Sequence, residues 1–146
     1  MTGAMGANPA DSPAVASNDD DAAVRAILEA YADRLRASDL AGVVDLYAAD
    51  AAVMAPDIPT TVGREELTTV YKGALNAVAM DFRFEFDEVV IRGDTAIART
   101  RTSGKNTVRA TGQDVPAKYR ELFVLRRQQD GWKITQYMFQ PLPERP

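Results

Sequence analysis

The chain contains no histidine and no cysteine. Those absences exclude a Ser-His-Asp or Cys-His nucleophile, a zinc site built from imidazole or thiolate, and any disulfide. Acid–base chemistry is left to Asp, Glu, Tyr or Lys, or to a ligand or partner. Basic clusters are missing too. Lys and Arg total 17 against 21 Asp and Glu, a net charge of −4, and the cations are scattered, so nucleic acid is not an expected partner. No apolar run is long enough to span a membrane. No Gly-rich phosphate cradle or metal motif occurs, and Asp19-Asp20-Asp21 lacks the glycine and distal glutamate of a calcium loop. Neither metal nor cofactor is therefore expected.

What is present suffices for one domain: 146 residues, 46% of them hydrophobic. Residues 1–18 are mostly Ala, Gly, Pro, Ser and Asn, without the positive charge or apolar stretch of a secretory signal. They read as a flexible extension, with the cytoplasm as the expected compartment. Residues 19–146 read as a single domain.

Asn18-Asp19 supplies a cap for a helix reaching Ala37, with Val24, Ile27, Leu28, Tyr31 and Leu35 at helical spacing. Ser38-Asp39 caps a second, shorter helix carrying Leu40, Val43, Val44 and Tyr47 on one face. Residues 51–54 read as a short strand ended by Pro56, residues 56–63 as a loop, and residues 64–78 as a third helix. From Asp81 the period falls to two, as Phe82, Phe84 and Phe86 alternate with charged residues. Strands are expected to Ile91, over 95–104, over 115–128 and over 132–140, with turns at Gly93 and Gly131 and a polar loop over 105–114. Three helices ahead of four long strands predict an α+β domain, a curved, mainly antiparallel sheet wrapped around a helical hairpin.

That order resembles the cone-shaped nuclear transport factor 2-like superfamily, which includes SnoaL-like cyclases and ketosteroid isomerases. The residues carrying the resemblance are Ser38 through Ala51 (SDLAGVVDLYAADA), Val62-Gly63-Arg64-Glu65-Glu66-Leu67, Gly93-Asp94-Thr95-Ala96 and Gly131-Trp132-Lys133-Ile134. Within the superfamily the chain is most similar to the SgcJ/EcaC subgroup, associated with enediyne and other natural-product biosynthesis. The resemblance implies a deep, mostly apolar pocket between sheet and helices.

In ketosteroid isomerases a Tyr on the first helix, eight residues before the Asp that opens the second, donates to the developing enolate oxygen. Tyr31 and Asp39 keep that spacing. The proton-abstracting Asp of those enzymes precedes a proline that ends the first strand, and here Ala55 precedes Pro56. Their second oxyanion donor falls eight residues before the last hairpin glycine, at Phe123. Two of three groups are thus replaced, and the isomerase mechanism as such is not expected.

The same alignment offers a different polar set. If Phe123 faces the pocket, alternation brings Tyr119 and Glu121 with it, and burial of Glu121 in an apolar cup raises its pKa into the range of a general acid or base. On the neighbouring strand Arg99 and Arg101 are candidates to point inward beside it. Tyr31 and Glu121 are the candidate catalytic pair; Met54, Ala55, Arg99, Arg101, Tyr119, Phe123, Tyr137 and Phe139 are the candidate ligand-binding residues. Each has a plainer reading: Tyr31 as core, Glu121 and the arginines as cross-strand ion pairs on the outer face, and the aromatics as packing.

Two functions follow. One is a pocket protein of secondary metabolism that binds a hydrophobic polyene, polyketide or enediyne-type intermediate and isomerises or cyclises it by proton transfer. The other is a non-catalytic carrier or association module. A homodimer through the outer sheet face is expected, with Val89, Ile91, Leu122, Val124, Ile134 and Met138 facing the partner.

Overall fold

The computed structural model describes residues 13–143. In chain order the elements are α1 (Pro13–Arg36), α2 (Leu40–Asp45), β1 (Tyr47–Met54), β2 (Thr61–Val62), α3 (Arg64–Ala77), β3 (Val78–Arg92), β4 (Thr95–Val108), β5 (Asp114–Gln128) and β6 (Gly131–Pro141). The strands form one sheet in the order β2-β1-β6-β5-β4-β3, in which β1 runs parallel to β6 and the other pairs are antiparallel. The α+β architecture matches the expectation, while several bounds are corrected: α2 ends at Asp45, so Tyr47 is on a strand and not on the helix, β3 begins at Val78, and β4 continues to Val108 through residues read as loop. The strand expected over 51–54 begins at Tyr47, and Thr61–Val62, read as loop, pairs with it as an edge. Among the described residues no helix is long and apolar enough to cross a membrane.

Helix α1 starts at Pro13, so the aspartates at 19–21 lie within the helix and do not cap it. The part of the expected extension before Pro13 lies outside the described residues. Asp20 instead receives the Arg127 guanidinium in two parallel hydrogen bonds of 2.7 and 2.8 Å. Arg127 also donates to Asp94 at 2.9 Å and lies 4.7 Å above the Trp132 ring, tying α1 to the β3–β4 turn and the β5–β6 hairpin. The apolar stripe of α1 behaves as read: Val24, Leu28, Tyr31 and Leu35 are buried against the sheet. Asp39 caps α2, its carboxylate accepting the Gly42 N–H at 3.0 Å.

Two bulges decide which side chains face the helices. In β3 the register shifts between Phe86 and Glu88, so Asp87 is the extra residue. Phe82, Phe84 and Phe86 face the core before it, and Val89 and Ile91 after it. In β6 the register shifts at Thr135, which keeps Ile134 in the core, fully buried, while Tyr137 resumes the inward phase beyond it. Val89, Ile91 and Ile134 were expected on the outer face and are corrected to the inner one. Leu122 and Met138 do face outward, each more than two-fifths exposed, and Val124 is half-buried there; Ile97, on the face of Arg99 and Arg101, is outward too, 43% exposed.

Gly104 keeps β3 and β4 in close contact beside the interior. A Cβ at this position would stand 2.2 Å from the Asp81 carbonyl oxygen, closer than any side chain permits.

Candidate active site

Between the concave sheet face and helices α1 and α3 lies a cavity of about 270 Å³. Its walls are largely apolar: Leu35 from α1, Leu67 and Ala74 from α3, Val53 and Ala55 from β1 and the residue after it, and Met80 and Phe82 from β3. Ile58 and Val70 line it while remaining 45% and 37% exposed, and so mark its mouth.

Glu121 enters this apolar cup from β5. Alternation along the strand places Ala117, Tyr119, Glu121, Phe123 and Leu125 on the inner face. The opposing strand contributes Thr100 and Thr102, and both hydroxyls donate to the Glu121 carboxylate, Thr100 to Oε1 at 2.6 Å and Thr102 to Oε2. Glu121 is only 4% exposed, and among the described residues no Lys or Arg is in the cavity lining. Burial pushes its pKa up to about 7; the two threonine hydroxyls oppose the shift and the negative charge of Asp87 adds to it.

The helical wall presents a chain of phenols. Tyr71 of α3 hydrogen-bonds through its hydroxyl to that of Tyr31 from α1, and to that of Tyr47 from β1 at 2.6 Å. Burial pushes the Tyr71 pKa up to about 12 and those of Tyr31, Tyr47 and Tyr137 well above the ordinary phenol value, so all four are neutral donors at physiological pH. Three phenols hold three protons and the two O···O contacts use two. Tyr47 is fully buried and outside the lining, whereas Tyr31 lines the cavity. When Tyr47 donates to Tyr71 and Tyr71 to Tyr31, the remaining proton is on Tyr31, facing a ligand. Tyr137 separates this chain from Glu121, whose charge contributes to its raised pKa.

Of the residues singled out from sequence, Tyr31, Glu121, Ala55, Tyr119, Tyr137 and Phe139 line the cavity. Four do not. Phe123 is fully buried and stacks on Tyr137 with ring centroids 4.1 Å apart, forming the layer beneath the wall. Met54 follows the inward Val53, pairs with the exposed Met138 and faces the opposite side of the sheet.

Arg99 and Arg101 also point outward, because the inward phase of β4 belongs to Ala96, Ala98, Thr100 and Thr102. They form surface ion pairs, Arg101 with Asp87 at 2.9 Å and Glu85 at 3.2 Å, and Arg99 with Asp87 and Glu88 at 3.8 Å. Their outward position leaves Glu121 without a cation among the described residues. Tyr71, Tyr47, Thr100 and Thr102 were missed as polar site residues. Both tyrosines sit on stripes that read as core, and the threonines could have been found only from the β4–β5 register.

The comparisons agree with this architecture. The SnoaL-like domain family matches residues 28–137. Among curated proteins there is no match. A ketosteroid isomerase-like protein from Erwinia carotovora atroseptica is 34% identical, with a TM-score of 0.78 over 84% of this chain and 96% of that one. Two more distant structures share the fold. One is a candidate dehydratase of the nuclear transport factor 2-like family from Streptomyces avermitilis, with 19% identity, TM-score 0.76, and 87% and 99% coverage of this chain and that one. The other is a nuclear transport factor 2-like superfamily protein from Salmonella enterica serovar Typhimurium, with 14% identity, TM-score 0.78, and 89% and 96% coverage. The chain belongs to the SnoaL-like domain family.

Proposed function

We propose that this protein is a cofactor-independent isomerase or cyclase acting on a hydrophobic carbonyl compound, with Glu121 as the proton carrier and Tyr31 as the oxyanion donor. The observation that carries this reading is a buried carboxyl with a pKa near 7 in the same apolar cavity as the neutral phenol of Tyr31, the cavity-lining end of a hydrogen-bonded phenol chain.

In the reaction, Glu121 as carboxylate takes a proton from a carbon next to the substrate carbonyl. The C–H electron pair moves into the C–C bond and the carbonyl π pair moves onto oxygen, where the Tyr31 hydroxyl stabilises the enolate. Glu121, now a carboxylic acid, returns the proton to a different carbon of the conjugated system, and the carbonyl re-forms. Nothing is oxidised or reduced, and the carboxyl ends as it began. A pKa near 7 suits both halves, since a strong acid could not take the proton and a weak one would not return it.

The substrate we favour is an intermediate of secondary metabolism of the polyene or polyketide type, including the enediyne class. The apolar walls and the resemblance to the SgcJ/EcaC subgroup support that choice. The working unit we propose is a homodimer through the outer sheet face, supported by the exposed Ile97, Leu122 and Met138.

One observation favours a carrier instead: both Glu121 oxygens already accept threonine hydroxyls, as in a carboxylate satisfied at rest. Incubation with an extract of the producing pathway, followed by mass spectrometry, separates the two. The enzymatic reading expects many molecules converted per protein and loss of conversion in Glu121→Gln; capture of one unchanged molecule per chain supports the carrier.

A further inference from the structure

Two buried side-chain polar atoms among the described residues have no hydrogen-bond partner, Trp132 Nε1 and Asn106 Oδ1. Trp132 lies under Arg127, outside the cavity lining. Asn106 lies in the lining itself. Of the other polar groups in the lining, Glu121 accepts from Thr100 and Thr102, and Tyr31 pairs with Tyr71. A buried acceptor without a partner destabilises the empty protein, and a rotation of the Asn106 amide, whose residue lines the cavity, turns it to a ligand.

The position of Asn106 adds a direction. It belongs to the inward phase of β4, where Thr100 and Thr102 hold Glu121, and lies four residues beyond Thr102. Four residues of strand span on the order of 13 Å, so Asn106 and Glu121 stand at opposite ends of the cavity. Aromatic rings flank the space between, with Tyr119 edge-on to Phe139 at 5.5 Å and Phe139 stacked on Tyr137 at 5.1 Å. Such walls favour a flat body.

Charge narrows the class further. Among the described residues Glu121 is the sole charged side chain of the lining, and the groove outside the mouth, which shares Ile58 and Val70 with the cavity, carries Glu65 and Glu66. The carboxylates of this groove and of the cavity disfavour an anionic ligand. A cationic ligand would hold Glu121 ionised and prevent it from returning a proton. The volume admits roughly ten to fifteen non-hydrogen atoms at organic packing density.

We infer that Asn106 is the second anchor of the substrate, which is a neutral, flat, hydrophobic molecule with an oxygen function at each end. One oxygen lies in the Glu121–Tyr31 region and the other is a hydroxyl hydrogen-bonded to the Asn106 side-chain amide, which turns to meet it. This deepens the function proposed above and rests on the same cavity being the ligand site.

The test uses two fluorescent probes of the right size, 2-naphthol with one hydroxyl and 2,6-dihydroxynaphthalene with hydroxyls at both ends. Both are titrated against the full-length wild type and Asn106→Leu. The wild type is expected to bind the diol roughly tenfold more tightly than the mono-ol, the worth of one buried hydrogen bond. Asn106→Leu is expected to abolish that preference and leave 2-naphthol binding within about twofold, with no fall in the melting midpoint of the ligand-free protein.

An equal preference in both proteins, or none in the wild type, overturns the inference. So does a lowered midpoint with both probes weakened, the mark of an amide that only supports the fold. If the wild type binds neither probe, the cavity assignment fails along with it. If the probes behave as expected while Glu121→Gln keeps full turnover, the proton-transfer reading alone fails.

Discussion

Glu121 and Thr100 meet across the β4–β5 ladder, the Thr100 hydroxyl donating to the carboxylate at 2.6 Å, on a sheet face where, among the described residues, no basic side chain lines the cavity. The pair places an ionisable group in an apolar interior with hydroxyl partners only, which gives the carboxyl a measurable signature in stability.

Folded Glu121 titrates at about 7, against 4.5 for the exposed group. Between those values the native chain retains a proton that the unfolded chain has released, so stability falls as pH rises through this window. Below it both states are protonated and the penalty vanishes. Above it the full cost applies, about 3 kcal/mol. Glu121→Gln is expected to remove this dependence, unfolding at higher denaturant than the wild type near pH 8 and about equally near pH 4. Urea titrations at both pH values check it.

The threonines hold the pKa down against burial. Thr102→Val removes one hydrogen bond to the charged form at nearly constant volume. It is expected to raise the Glu121 pKa by about one unit. The acid limb of any pH–rate curve should move up by that amount, and an unmoved limb contradicts the assignment.

The phenol chain has an order. Tyr31 faces the cavity and Tyr47 lies fully buried behind Tyr71. Tyr31→Phe is expected to lower kcat by about 10²–10³, the cost of losing an oxyanion donor. Tyr47→Phe, which acts only through Tyr71, is expected to cost less than tenfold. Steady-state kinetics of the two variants decide whether the order is right.

On the convex side, Leu122 and Met138 are cross-strand neighbours, 43% and 46% exposed. Leu122→Glu is expected to yield a folded monomer where the wild type sediments as a dimer. A monomeric wild type in sedimentation velocity removes the dimer proposal.

Much of this arrangement was legible beforehand. The Tyr31 spacing and the alternation from Phe123 to Glu121 place both groups on the cavity wall. What escaped was phase. Strand β4 carries apolar residues on both faces, Ala96 and Ala98 on one and Ile97 on the other, so its pattern alone cannot say whether Arg99 or Thr100 points in. The answer comes from pairing with β5, a long-range property. Asp87 and Thr135 each insert one residue, which turned Val89, Ile91 and Ile134 inward, and no local composition marks either bulge. Tyr71 escaped for another reason: on an amphipathic helix a phenol ring reads as packing, and its hydroxyl gains meaning only once Tyr31 and Tyr47 converge on it.

The central claim, proton transfer by Glu121, is tested most directly by hydrogen–deuterium exchange at the α-carbons of 2-tetralone, a neutral bicyclic ketone within the size the cavity admits. The exchange is followed by NMR in D₂O across pH. The account predicts that the wild type accelerates exchange, with a rate that rises with pH and levels off above about 7, and that Glu121→Gln returns it to the uncatalysed rate while still binding 2-naphthol. Exchange by Glu121→Gln at the wild-type rate would contradict the account.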